Sequence, residues 1–493
     1  MIKPIHISVA LASALFSLNA NAVDKETATL LTKLSEQVAE LQSKASVSDA
    51  RIQELEKNLA EERQKHGKAA TVTVAANPPE ASSSSATNST AVANLNDEPK
   101  PETKPAVTLG DVKGTFKIPG TDTSVGIGGY VKLDITESST GAANAVGLAN
   151  SPGTGYASGD VALDPRQIPI GQRTGANSQL AFNARETRLW LKSFTPGKWG
   201  DVNTYVEMDL YGTASSYAPL LRHAYGSFGH LLAGQTWTTF LNDTTLPDTL
   251  DYNGPVGTTK VRQPLLRWTQ PFKVSGQSLE LLSAVEAPSS QVLSVTNNAV
   301  AAAAYPGANR YPDLVARINY KPEWGNLSLA GMARDIRYTN TPAGKTRDTW
   351  GGAVSLAGKI NLFSLDDFRF SLNYGNVLGR YLTNTPFEDA ALNTVPMNLS
   401  LVNAYSVMIA YQHWWADRWR STLAYGFEKA DLPLSVAYTT LTSQQAESVH
   451  ANLLWNPLPQ ATLGLEYIYG ARALYDGGNG NISRAQLSAK YSF

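Results

Sequence analysis

Cationic side chains recur in this chain in one setting, at alternate places of short amphipathic stretches. Arg317 and Asn319 lie between Leu314, Ala316, Ile318 and Tyr320, and Arg369 and Asn373 between Phe368, Phe370, Leu372 and Tyr374. Arg420 and Thr422 fall on the face opposite Leu423, Tyr425 and Phe427. Leu266 and Trp268 set Gln263, Arg267 and Thr269 apart in the same way, and Arg484 and Lys490 alternate with Ala485, Leu487, Ala489, Tyr491 and Phe493. Arg188 and Lys192 join them, downstream of a break in phase marked by Leu180 and Phe182. A strand sends successive side chains to opposite faces, so each stretch has one apolar face and one wet, cationic face. Guanidinium forks match carboxylate or phosphate in bidentate geometry, and a wall of them concentrates small anions and repels cations. The acids on the same faces, Glu207, Asp209 and Glu466, are fewer. Pairing with those acids to stiffen the fold is the blander role for the same arginines, and the two roles are compatible.

Catalysis has little to work with. The six histidines are dispersed, with no HExxH, no paired metal spacing and no Gly-x-Ser-x-Gly elbow. No phosphate-cradling loop occurs, and the absence of cysteine excludes thiolate chemistry and disulfides. His450 shares a strand with Ser448 and Asn452; a hydrolase could use it, but a lumen-facing polar residue is the commoner case. Neither an enzyme, a metal nor a cofactor is expected. With 41 basic against 42 acidic residues the charge is balanced, which argues against nucleic acid as a partner.

The wet faces need a scaffold. Sixteen strands are expected from Val125 onward, near 125–137, 180–194, 201–211, 220–229, 231–240, 261–270, 277–286, 313–321, 326–338, 349–360, 368–377, 403–412, 419–428, 446–455, 461–471 and 483–493. Odd gaps tend to be long (138–179, 241–260, 287–312, 378–402, 429–445) and even gaps tight (195–198, 322–325, 414–417, 456–459). A soluble sandwich predicts no such alternation. An outer-membrane barrel does, with long loops outside and short turns in the periplasm. Tyr467, Tyr469, Tyr491, Phe493 and the cluster Trp414, Trp415, Trp419 fit its interfacial aromatic girdles. The fold class is therefore an all-β transmembrane barrel of about sixteen antiparallel strands, wide enough for a water-filled channel.

Ahead of the barrel, Lys3, an apolar run from Ile5 to Leu18 and Ala20-Asn21-Ala22 read as a secretory signal over 1–22, leaving Val23 first in the mature chain. No later run is long enough for a membrane-spanning helix. Leu31, Leu34, Val38, Leu41, Ala45, Ser48, Ile52, Leu55 and Leu59 keep a 3-4 spacing that predicts an α-helical coiled coil over 23–66, on the periplasmic side. Its core residues leave the number of strands open. From 67 to 107 the chain turns to Ala, Ser, Thr, Asn and Pro, a flexible linker before the barrel at 108–493.

The gap 241–260 carries Asp243, Asp248, Asp251 and Tyr252. Folded inward, it would set acids against the arginine wall and place a transverse field across the constriction; a plain surface loop is the alternative. Three further stretches carry a resemblance. Arg222-His223-Ala224-Tyr225-Gly226-Ser227-Phe228 with Leu232-Ala233-Gly234-Gln235-Thr236-Trp237-Thr238-Thr239-Phe240, then Val261-Arg262-Gln263-Pro264-Leu265-Leu266-Arg267-Trp268, and upstream Ala184-Arg185-Glu186-Thr187-Arg188-Leu189, resemble the DcaP-like family of trimeric outer-membrane porins. The order signal, coiled coil, linker, barrel matches as well. The resemblance implies a homotrimer in outer-membrane lipid, passive diffusion of small organic anions and a preference for dicarboxylates. It sets Gln235, Trp237, Arg262, Gln263 and Arg267 at the pore near the third long loop, with Leu265 where a polar lumen residue is expected. Two other functions share these features. A phosphate-selective channel would use the same arginines, and an envelope tether would use the coiled coil on the cell wall with the barrel as anchor.

Overall fold

Alternation of apolar and polar residues over sixteen stretches leaves each strand one greasy and one wet face, and only closure of the sheet satisfies both in a membrane. The computed structural model describes residues 108–139, 162–171, 178–212, 217–296, 299–302, 309–340, 345–363, 365–394, 397–433 and 442–493. The signal at 1–22, the coiled coil at 23–66 and the linker at 67–107 lie outside the described residues.

The sheet closes as a barrel of sixteen antiparallel staves. They are β1 (Ser124–Ser138), β2 (Gln179–Asn183 continued by Arg188–Thr195), β3 (Val202–Asp209), β4 (Leu220–Phe228), β5 (Leu231–Trp237), β6 (Arg262–Val274), β7 (Gln277–Glu286) and β8 (Asp313–Tyr320). The circuit continues through β9 (Gly325–Asn340), β10 (Lys345–Leu362), β11 (Asp366–Gly375), β12 (Asn403–Ala416), β13 (Trp419–Asp431), β14 (Ser443–Leu458), β15 (Ala461–Leu474) and β16 (Asn479–Ser492). β16 pairs with β1 from Tyr130↔Ser492 to Ser138↔Arg484, which leaves the main sheet no free edge.

Every expected strand is present. The phase break is real: Asn183 pairs with Asp134 and Arg188 with Tyr130, so five steps on β2 oppose four on β1. The extra residue turns Leu189 and Leu191 outward where Leu180 and Phe182 were outward before it. Two tight turns close later than expected. β12 runs on to Ala416 and β14 to Leu458, each through a register irregularity, and the turns are Asp417-Arg418 and Pro459-Gln460. A bulge keeps the ladder paired after the alternation has slipped.

The usual inside and outside are exchanged. Leu423, Leu465, Leu329 and Tyr374 are among the most exposed apolar residues, while Ser355, Asn373, Ser406, Thr422, Gln486 and Ser488 are buried in the lumen. Trp199, Trp324, Phe363, Trp415, Trp419 and Phe493 ring the short-turn rim, exposed to the depth where interfacial aromatics sit. The largest apolar core among the described residues lies where the loops pack against the inner face of the staves. Phe240, Val292, Ile336, Val377, Leu378, Tyr381, Phe387 and Leu392 pack together there. They back a small sheet in which Val292–Thr296 and Ala390–Thr394 pair in parallel, each with a short hairpin partner. Among the described residues no helix is long and apolar enough to cross a membrane.

Candidate functional site

The long connection from Trp237 to Arg262 folds into the barrel, and its backbone is bonded to the wall over much of the circumference. At its root, Thr238 Oγ1 and the Thr239 N–H both donate to the Glu286 carboxylate at 2.7 Å. Asn242 caps a short 3-10 turn (Asp243–Thr245) and reaches Ser328 Oγ on β9 at 2.9 Å. Arg369 on β11 donates to the Leu246 carbonyl, and Arg420 on β13 pairs with Asp248 at 2.7 Å. Asn452 on β14 donates to the Asp248 carbonyl at 2.8 Å. The returning limb bonds through the Val256 N–H to Ser448 Oγ at 3.1 Å and the Gly257 N–H to Glu428 at 3.2 Å.

That return depends on two glycines. Gly257 has φ of +75°, where an L side chain is strained, and a Cβ there would lie 2.6 Å from the Phe427 carbonyl oxygen. Gly426 faces it on β13, and a Cβ on Gly426 would collide with the Val256 backbone. The close approach of loop to wall requires both to be bare.

With most of the loop's bonds made to β9 to β16, and Tyr252 reaching Arg222 on β4, open lumen is left along β3 to β8. A cavity of about 270 Å³ lies there, lined by Tyr205, Glu207, His223, Tyr225, Thr236, Trp237, Thr238, Leu241, Asp243, Arg267 and Arg317. It is room for several waters, each taking about 30 Å³ of liquid volume. The cavity acid Glu207 and its neighbour Asp209 are already committed. Arg188 pairs with Glu207 at 3.2 Å, and Arg222 with Glu207 at 3.0 Å and with Asp209. Arg262 lies over Trp237 at 4.6 Å. Arg267 and Arg317 are different: neither makes an ion pair or a side-chain hydrogen bond among the described residues, and each keeps a buried Nε without an acceptor. Their strands flank β7, where Arg267 sits beside Ala284 and Arg317 beside Leu282. Two strand spacings and a two-residue offset along β7 set their backbones roughly 12 Å apart, within reach of a solute bridging both side chains.

The candidate residues thus fall into two groups. Trp237, Arg267, Arg317 and Asp243 face the cavity, with Arg188 and Arg262 at its edge. Arg369, Arg420, Arg484 and Lys490 lie on the staves behind the loop: Arg369 and Arg420 tether it, Arg484 bonds Ser138 Oγ at 2.9 Å, and Lys490 lies over Tyr130 at 5.3 Å. Gln263 is buried against Glu286 and Tyr381, and Gln235 donates to the Leu221 carbonyl at 2.8 Å on the neighbouring stave. Of the loop residues, Asp248 meets Arg420, and Asp251 accepts from the Leu163, Asn253 and Gly254 N–H groups. Tyr252 accepts from Arg222 at 2.7 Å and stacks on Tyr211 at 3.9 Å. Leu265 is buried on the lumen side.

Three groups stand in the site without having been singled out from the sequence. Arg222 was hidden by its setting, since Leu220, Leu221 and Ala224 fit either phase and a register shift at Glu207/Met208 resets it. Lys132 binds the loop through the Leu250 carbonyl at 2.7 Å. Lys260, within the loop, donates to the Tyr252 and Asn253 carbonyls at 3.0 and 2.9 Å. Burial, with Arg222 and Arg262 nearby, pushes the Lys260 ammonium down to about 7. No set of residues suited to a metal ion occurs among the described residues.

Comparison with known proteins agrees with the barrel. The family model of the DcaP outer membrane protein matches residues 155–493. Among solved structures, the outer membrane channel DcaP of Acinetobacter baumannii aligns with a TM-score of 0.62 at 23% identity, covering 78% of this chain and 100% of the other. An anion-selective porin from Comamonas acidovorans aligns with a TM-score of 0.44 at 12% identity, covering 75% and 100%. A search of curated proteins finds no match.

Proposed function

This chain belongs to the DcaP outer membrane protein family, and from that premise we propose that it is a passive, anion-preferring diffusion channel. One observation carries the reading: Arg267 and Arg317 line a polar cavity in the lumen, and neither is in ion-pair contact with a carboxylate among the described residues. A buried guanidinium without a partner is costly, and an anion passing between the two removes that cost transiently. Uncompensated charge in a narrow, low-dielectric passage also raises the local concentration of anions. Asp243 faces them from the loop and supplies the opposite pole of a transverse field.

Two guanidiniums on staves flanking β7 suit a solute with two anionic ends, so small dicarboxylates are the proposed class. The same chemistry accepts phosphate, and competition decides between them. The active unit is a homotrimer in the bacterial outer membrane, as the family resemblance implies. Purified protein in a planar bilayer under a potassium chloride gradient should give a reversal potential of anionic sign, and succinate should reduce the chloride current more than phosphate does. A cation-selective reversal potential would remove the reading, and stronger block by phosphate would replace the solute class.

A further inference from the structure

Leu250, the turning point of the constriction loop, is held on both sides of its backbone. Its N–H donates to Glu466 Oε2 at 2.5 Å, and the next N–H, of Asp251, reaches Oε1 at 3.3 Å. On the other side its carbonyl accepts from Lys132 Nζ at 2.7 Å and Gln486 Nε2 at 2.9 Å. The side chain lies over Gly464, where a Cβ would come within 2.8 Å of Leu250 Cδ1. Glu466 is fully buried and is itself braced by His450 Nδ1 and Asn452 Nδ2, each at 3.0 Å. Lys132 is braced in turn by Glu186 at 2.5 Å and Asp134 at 3.3 Å. All these groups lie on β15, β14, β16, β1 and the bend within β2, outside the lining of the cavity, and none is needed to attract an anion.

We propose that Glu466 and Lys132 are positioning residues that hold the pore open by pinning the loop at Leu250 against the far wall. The inference rests on the channel reading and adds a determinant of aperture to it. The loop has no regular structure beyond one 3-10 turn, so its place in the lumen is fixed by its bonds to the staves, Tyr252 to Arg222 on β4 on one side and Leu250 to Glu466 and Lys132 on the other. A carboxylate offers acceptors on both oxygens, whereas a glutamine offers only one. Glu466→Gln would therefore leave the Leu250 and Asp251 N–H groups and the Asn452 amide competing for a single oxygen, with a new donor facing them. Released at Leu250, with the wall behind it, the tip between the Asp248 and Tyr252 tethers is free to swing toward the lumen.

Single-channel recording of the full chain tests this with two variants acting on opposite sides of one peptide unit. Glu466→Gln and Lys132→Met should each produce rapid flicker and a mean open conductance roughly halved, as expected when a pore-narrowing element moves into the path. The anion-to-cation permeability ratio should shift less than in Arg267→Ala, because Arg267 and Arg317 are untouched. Lys132→Arg, which keeps a cationic donor to the carbonyl, should restore the quiet channel. If both variants conduct as steadily as wild type, the pin is refuted; should Glu466→Gln fail to fold, steady conduction by Lys132→Met refutes it alone. Absence of conductance in the wild-type protein would instead bring down the channel reading, leaving the two failures distinguishable.

Discussion

Arg267 and Arg317 differ from the other lumen arginines in what surrounds them rather than in which way they point. Arg188 and Arg222 share two carboxylates, and Arg369 and Arg420 are occupied with Asp367 and Asp248, which leaves their fields largely cancelled. Replacing Arg267 or Arg317 by alanine should lower the anion-to-cation permeability ratio roughly threefold each, since electrostatic focusing scales with uncompensated charge. Arg420→Ala should change it far less; equal effects at all three positions, read from reversal potentials, would contradict this division. Lys260 adds a dependence on pH. Its charge fades as pH rises through about 7, so anion preference should weaken between pH 6 and pH 8, and Lys260→Met should flatten the profile. The stability effect has the matching sign. An unfolded lysine keeps its proton to 10.5, so between about 7 and 10.5 the unfolded chain holds more protons and the folded state gains stability as pH rises. Thermal unfolding followed across that window should shift upward in wild type and less in Lys260→Met.

Among the elements, the staves repeat one local rule while the loops obey long-range ones. The outer loops are tied through Arg334 on β9, which is fully buried. It bonds Asp313 at 3.0 Å, Asp389 at 2.8 Å and the Ser289 carbonyl at 2.7 Å, with Tyr381 stacked beneath it at 4.9 Å. Asp389 belongs to the same loop as Tyr381, so this one guanidinium joins two long loops to the barrel. Removing one partner of a buried pair costs about 3–5 kcal/mol because it strands the other charge. Asp389→Ala should accordingly leave the barrel folded but expose the segments 287–312 and 376–402 to protease, and unchanged digestion rates would count against the tie. At the loop return, Gly426→Ala should displace Val256 from the wall and lower conductance, measured in the same bilayers. Neither Arg334 nor Gly426 was legible as a keystone: an arginine among Met332, Ala333 and Asp335, and a glycine inside a strand, carry no local mark of what approaches them from far along the chain.

For the whole molecule, polar residues inside and apolar residues outside make sense only with lipid around the barrel and water within it. Residues 108–493 should therefore carry the conductance by themselves. Deleting 23–105 is expected to leave single-channel conductance unchanged; its loss would favour a tether in which the N-terminal region is the working part. Strand number, the direction most strand side chains face and the long-short alternation of connections were determined by the sequence alone, because each is set by a period of two residues and by turns that close locally. Even the break in β2 showed as a slip of phase at Leu180 and Phe182. What only the tertiary structure decided is which inward arginines meet open lumen and which meet the back of a loop. That depends on the path of residues 238–261 across the barrel, fixed by bonds between groups as far apart in sequence as Lys132 and Leu250 or Leu250 and Glu466, and no short-range pattern encodes such pairings.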